Sequence, residues 1–182
     1  HIALDAAFNL LVDKTIDVRQ INNIEVLVDF DPPRSLVHSR PKNALEGKFS
    51  MEYCLSAALL DKSVSFDSFT DHQVLRKEVQ DLIPRISMKR IPGNEGLPSW
   101  TEGYNELTVH LTDGSSLSSK AFRPTSGALR GVTTNDVDRK FLDCAAFVLD
   151  KSKASEALEL LKNIESLKNL DELMDILRSL AR

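Results

Sequence analysis

From Phe49 to Leu60 the chain is apolar on both sides of a helix, and this constrains the fold more than any other segment. Met51, Cys54, Leu55 and Ala58 recur at the spacing of a stripe that faces a core. Phe49, Tyr53, Ser56 and Leu60 form a second, largely apolar row on the opposite side. A helix with two such rows must be covered twice. A small sheet covers one row; another element of this chain, or a further part of the protein, has to cover the other.

The periods elsewhere say what those covers are. Ile24, Val26, Val28 and Phe30 alternate with Glu25, Leu27 and Asp29, which predicts a strand ended by Pro32 and Pro33. Ile86 and Met88 predict a short strand. Leu107, Val109 and Leu111 alternate with polar residues, and Asp113-Gly114 turns the chain back into Ser115–Phe122 as a hairpin. Pro92, Gly93, Gly96 and Pro98 mark an extended loop, and 122–132 reads as irregular. Helices are predicted at the start (Leu4, Ala7, Phe8, Leu11), from Asp71 to Leu82, after a Thr133–Asp136 capping box, and twice between Ala154 and Leu180. The sum is an α+β domain over residues 1–182, with about four mainly antiparallel strands and five or six helices. The first helical stripe begins at His1 with no capping segment before it, which predicts that sequence is missing upstream.

Composition narrows the function classes. The 182 residues are 42% apolar and 27% charged, with a net charge of −4 and both signs scattered. That balance suits a globular domain and argues against nucleic acid as the main partner. No stretch approaches the roughly 18 apolar residues of a membrane span. Two cysteines, Cys54 and Cys144, fit a reducing compartment and exclude a disulfide framework, so a cytoplasmic or mitochondrial-matrix protein is expected. Neither a Gly-rich phosphate loop, a G-x-S-x-G elbow nor an H-E-x-x-H pair is present. Two cysteines cannot ligate an iron–sulfur cluster, and both read as small core residues. His38, His72 and His110 sit in polar settings without ligand spacing and read as solvated. His1 has Asp5 one turn on, where a carboxylate can orient an imidazole. Tyr53 stands on the second row of the Phe49–Leu60 helix, where its hydroxyl needs a partner if buried.

Two motifs carry a resemblance. Pro41-Lys42-Asn43-Ala44-Leu45-Glu46-Gly47-Lys48-Phe49-Ser50-Met51-Glu52-Tyr53, followed by Ala57-Ala58-Leu59-Leu60-Asp61, resembles a segment of the small, C-terminal domain of the MmgE/PrpD family. His1-Ile2-Ala3-Leu4-Asp5-Ala6-Ala7 resembles that family's H-x-x-x-D-A-A helix. Leu111-Thr112-Asp113-Gly114 and Lys140-Phe141 match in kind and order, so the likeness spans nearly the whole chain. The stretch from Arg123 to Val132 lacks the family's proline–asparagine–proline run, and no substrate role is carried over to it.

The resemblance implies a lid domain that closes the active site of a metal-independent, cofactor-free lyase or isomerase. Its substrates are small polycarboxylates: members dehydrate 2-methylcitrate, decarboxylate cis-aconitate or epimerise iminodisuccinate. A large helical N-terminal domain carries most of the catalytic groups, and the enzyme is a homodimer. Carried over residue by residue, His1 and Tyr53 correspond to active-site positions and Lys48 to a substrate-binding cation. The chemistry suits these types. Removing a proton beside a carboxylate builds negative charge that needs a cation, and a departing hydroxide or product carbanion needs an acid. Dehydration of 2-methylcitrate is the leading expectation. The alternative is an inactive relative, or an interaction module whose second apolar helix row binds a partner chain.

Overall fold

The computed structural model describes residues 1–32, 35–93, 103–122 and 132–179. These fall into two compact units, His1–Thr125 and Ser126–Arg182.

The first unit is built on a four-stranded sheet. β1 (Ile21–Val28), β2 (Ile86–Arg90), β3 (Tyr104–Leu111) and β4 (Ser116–Phe122) lie in the order β2-β1-β3-β4. β1–β3 and β3–β4 pair antiparallel, as expected, while β1–β2 is parallel. A parallel neighbour requires a crossover, and everything between Val28 and Ile86 serves as one. The β3–β4 connection is the predicted hairpin. Gly114 takes φ +86, open to a residue without Cβ, and the Asp113 carboxylate accepts the Ser115 N–H at 2.8 Å.

Side chains at every second position decide which face of the sheet is covered. Ile24, Val26 and Val28 of β1, with Leu107 and Val109 of β3, are wholly buried. Over them lies α1 (Ile2–Asp13), whose Ala3, Ala6, Ala7 and Leu10 allow close approach. Met51, Leu55 and Leu59 of α3 (Met51–Asp61) complete this main core.

The second row of α3 is buried too, and by this chain. Tyr53 and Ala57 pack against Val74, Val79 and Ile83 in a separate small core. The covering elements are α4 (Asp71–Val74), α5 (Lys77–Leu82) and a 3-10 turn at Ile83–Arg85. Phe49 alone of that row stays largely exposed. The partner-binding alternative loses the face it relied on, because that face is already occupied.

Three features differ from the sequence reading. The stretch before Lys48 is a short helix, α2 (Ala44–Lys48), opened by Asn43, whose side chain accepts the Glu46 N–H at 2.9 Å. The expected Asp71–Leu82 helix is broken at Leu75–Arg76 into α4 and α5, bringing the described helices to eight. Cys54 and Cys144 are only partly buried. Gly96, Pro98 and 123–131 lie outside the described residues.

The second unit is three helices: α6 (Thr134–Ala145), α7 (Lys151–Lys162) and α8 (Asp171–Arg178). Thr133 and Asp136 form the expected capping box, with the Asp136 carboxylate accepting the Thr133 N–H at 2.9 Å. Its core is Ala145, Leu149, Ala154, Ala157, Leu173 and Ile176, so α7 faces inward through its alanines and leaves Leu158 half-buried.

Candidate functional site

The junction of α2 and α3 is fixed by a dense set of local bonds. Glu46 accepts the Lys42 N–H at 2.7 Å, Asp71 accepts the Ala44 N–H at 2.7 Å, and the Ser50 hydroxyl accepts the Tyr53 N–H at 3.1 Å. Gly47 makes the fit possible. A Cβ there would lie 2.9 Å from Val74 Cγ2 and 3.2 Å from Tyr53 Cδ1, closer than packed atoms sit. α2 is thus pressed against the small core. Lys48, its last residue, is exposed at the rim.

Tyr53 lies inside that core with no exposed surface. Its hydroxyl donates to the Ser68 carbonyl, and its ring meets Phe69 edge-on at 5.9 Å. Burial pushes the phenol up to about 12, with the Arg76 charge acting in the opposite sense. Within this unit the hydroxyl has a backbone partner, the arrangement of a side chain that ties α3 to the 66–69 turn. Arg76 forks onto Asp61 at 3.0 and 2.6 Å just beyond it, and that bond holds its guanidinium above the usual range.

His1 caps α1 and is exposed. The contact that joins it to Asp5 is between backbones, the Asp5 N–H donating to the His1 carbonyl at 2.9 Å. α1 packs against α3. Burial pushes the Cys54 thiol of α3 up to about 11, with Glu52 acting in the same sense, and its Sγ donates to the Gly47 carbonyl at 3.7 Å. Gly47 is the neighbour of Lys48. Lys48 thus sits at the junction of α2 and α3, His1 at the start of the helix that packs against α3, and Tyr53 in the small core.

The α2–α3 junction also holds a residue that the sequence reading treated as solvated. The His38 N–H donates to the Phe49 carbonyl at 3.2 Å, and its Nδ1 lies 4.0 Å from Glu46 Oε2. The available signal was charge, not spacing: His38, Arg40, Lys42 and Lys48 face a single carboxylate, Glu46, between 38 and 48, in a chain of net charge −4. Elsewhere in this unit, a cavity of 180 Å³ opens beside Leu60 and Arg85, below the roughly 300 Å³ of ordinary ligand sites. Among the described residues, no three His, Cys, Asp or Glu side chains converge as a metal site requires, and no helix is long and apolar enough to cross a membrane.

The sequence profile of the MmgE/PrpD C-terminal domain matches residues 1–166. The chain belongs to the MmgE/PrpD family. It is 26% identical over 138 residues to the cis-aconitate decarboxylase of Homo sapiens and 25% identical over 138 residues to that of Mus musculus. Each match covers 76% of this chain and 28% of the relative. The chain thus spans little more than a quarter of the length of these MmgE/PrpD relatives. The profile begins at His1, so the H-x-x-x-D-A-A helix lies inside the family match, as do α2 and α3.

Proposed function

We propose that this chain forms the small domain of a metal-independent lyase acting on a small tricarboxylate, with a large helical domain of the same protein completing the active site in a homodimer. The observation that carries the reading is the family match over residues 1–166, which takes in His1, Lys48 and the α2–α3 junction. A trianion needs cations where it binds, and the basic run around α2 supplies them in an otherwise acidic chain.

Elimination of water from 2-methylcitrate is the leading reaction. A base takes the proton beside a carboxylate, the electron pair forms the double bond, and the hydroxyl leaves with a proton from an acid. His1 is suited to that proton transfer, since imidazole titrates near neutrality. Lys48 stabilises a substrate carboxylate. Tyr53 acts from behind, holding α3 and the 66–69 turn through its bond to Ser68. The relatives' name favours a second reading, decarboxylation of cis-aconitate. There carbon dioxide leaves, the electron pair remains on carbon, and an acid supplies the proton, so the same His1 and Lys48 serve.

The full-length protein, offered 2-methylcitrate and cis-aconitate separately and followed by proton NMR, distinguishes the two. Loss of water from the first supports the leading reading and carbon dioxide release from the second supports the other. Conversion of neither rejects both. Activity is expected to survive prolonged chelation; loss with EDTA and recovery with a divalent metal would overturn the metal-independent chemistry.

A further inference from the structure

We infer that His38 is a further substrate-contacting residue, whose imidazole holds a carboxylate of the bound polycarboxylate beside Lys48. The inference rests on the polycarboxylate reading and adds to it a residue carried by neither motif. Three observations place His38 there. Its N–H donates to the Phe49 carbonyl at 3.2 Å, which fastens the 38–42 segment to the residue that separates α2 from the Ser50 cap of α3. Its ring stands 4.0 Å from Glu46, and Glu46 is itself held by the Lys42 N–H at 2.7 Å, so the carboxylate is fixed beside the imidazole. The side chain keeps 40% of its surface open, enough to meet a ligand while the backbone bond to Phe49 stays in place.

Charge gives the ligand class. Arg40, Lys42 and Lys48 are exposed around the same junction. The acids on the elements nearby are Glu46, facing His38, Asp71, which accepts the Ala44 N–H, and Glu52, buried in the first turn of α3. A histidine next to one carboxylate and several exposed cations favours an anion with more than one negative group. The backbone bond to Phe49 and the fixed Glu46 carboxylate set the place of the ring before the substrate arrives, as a pre-organised contact requires.

The test uses the full-length protein and two variants, His38→Gln and His38→Arg. Steady-state kinetics on whichever of 2-methylcitrate or cis-aconitate is converted is combined with calorimetric binding of tricarballylate, an inert tricarboxylate, and with thermal unfolding. Expected for His38→Gln is a rise of about tenfold in KM and in tricarballylate Kd, as for one charged contact, with kcat within about threefold. Expected for His38→Arg is recovery of both constants, with the melting temperature of both variants unchanged. Wild-type KM and Kd in His38→Gln would overturn the inference while leaving the polycarboxylate reading intact. Loss of affinity with a lowered melting temperature in both variants would overturn it in favour of a structural role. A wild-type protein that neither converts nor binds these polycarboxylates would reject the underlying reading, and the inference with it.

Discussion

The two compact units hold themselves together differently. The first clasps large side chains between sheet and helices: Ile21, Ile24, Val26, Leu55 and Leu107 have no exposed surface. In the second unit half the core residues are alanines, and Val137, Phe147 and Val148 stay about half exposed. Burial of a leucine or isoleucine contributes about 1.5–3 kcal/mol, and an alanine far less. The first unit therefore draws its stability from apolar area. The second depends more on helix ends, where Thr133 and Asp150 each accept an N–H of the first turn. The proposed chemistry sits on the better-packed unit, which suits groups that must be held within a fraction of an ångström.

The largest expected effect breaks that comparison at its strong end. Leu107→Ala opens a cavity under α1 and is expected to cost about 2–5 kcal/mol, measured by urea unfolding of the His1–Thr125 signals. A loss under about 1 kcal/mol would mean that the sheet face is not the dominant core. Next comes the small core. Tyr53→Phe keeps the ring and leaves the Ser68 carbonyl without its donor, so a stability loss of about 1–3 kcal/mol is expected, with turnover per folded molecule little changed. Unchanged stability with a large fall in turnover would instead give the hydroxyl a chemical role.

In the second unit, Thr133→Ala is expected to cost about 1 kcal/mol and to speed hydrogen exchange in α6 while leaving β1 and β3 protected. Equal loss of protection in both units would show that they unfold together. The smallest effect concerns Glu52, buried on α3 with the Ser50 hydroxyl at 3.4 Å. Burial raises its carboxyl above the ordinary 4.5. Between 4.5 and the raised folded value, the folded chain holds a proton that the unfolded chain has lost, so stability falls as pH rises through that window. Glu52→Gln is expected to gain stability relative to wild type above the window and nothing below it, read from melting temperatures at both ends. A constant difference across pH would locate the effect in packing rather than charge.

Much of this was legible in the sequence, for reasons that differ by element. Alternation exposed β1, β2 and the β3–β4 hairpin because each buries one face. The double apolar row of α3 correctly required two covers, yet could not say that α4 and α5 supply the second, since that depends on how the crossover folds back. α2 was missed because five residues carry no helical period; its signal was Asn43 as a cap for Glu46. Tyr53 illustrates a further limit: a row position says that a tyrosine is on a face, not whether its hydroxyl meets a substrate or a carbonyl such as that of Ser68. His38 was passed over because a single histidine has no ligand spacing. Only the backbone bond to Phe49 and the Glu46 carboxylate 4.0 Å from its ring give it a place.

The claim that His1 performs proton transfer in a polycarboxylate lyase is tested most directly by His1→Gln in the full-length protein. The measurement is the turnover number on the converted substrate, with tricarballylate affinity and melting temperature determined on the same preparation. The account predicts a fall in kcat on the order of 10²-fold or more, with affinity and melting temperature nearly unchanged, as loss of an acid–base group from an intact site requires. A variant that turns over at the wild-type rate would contradict it.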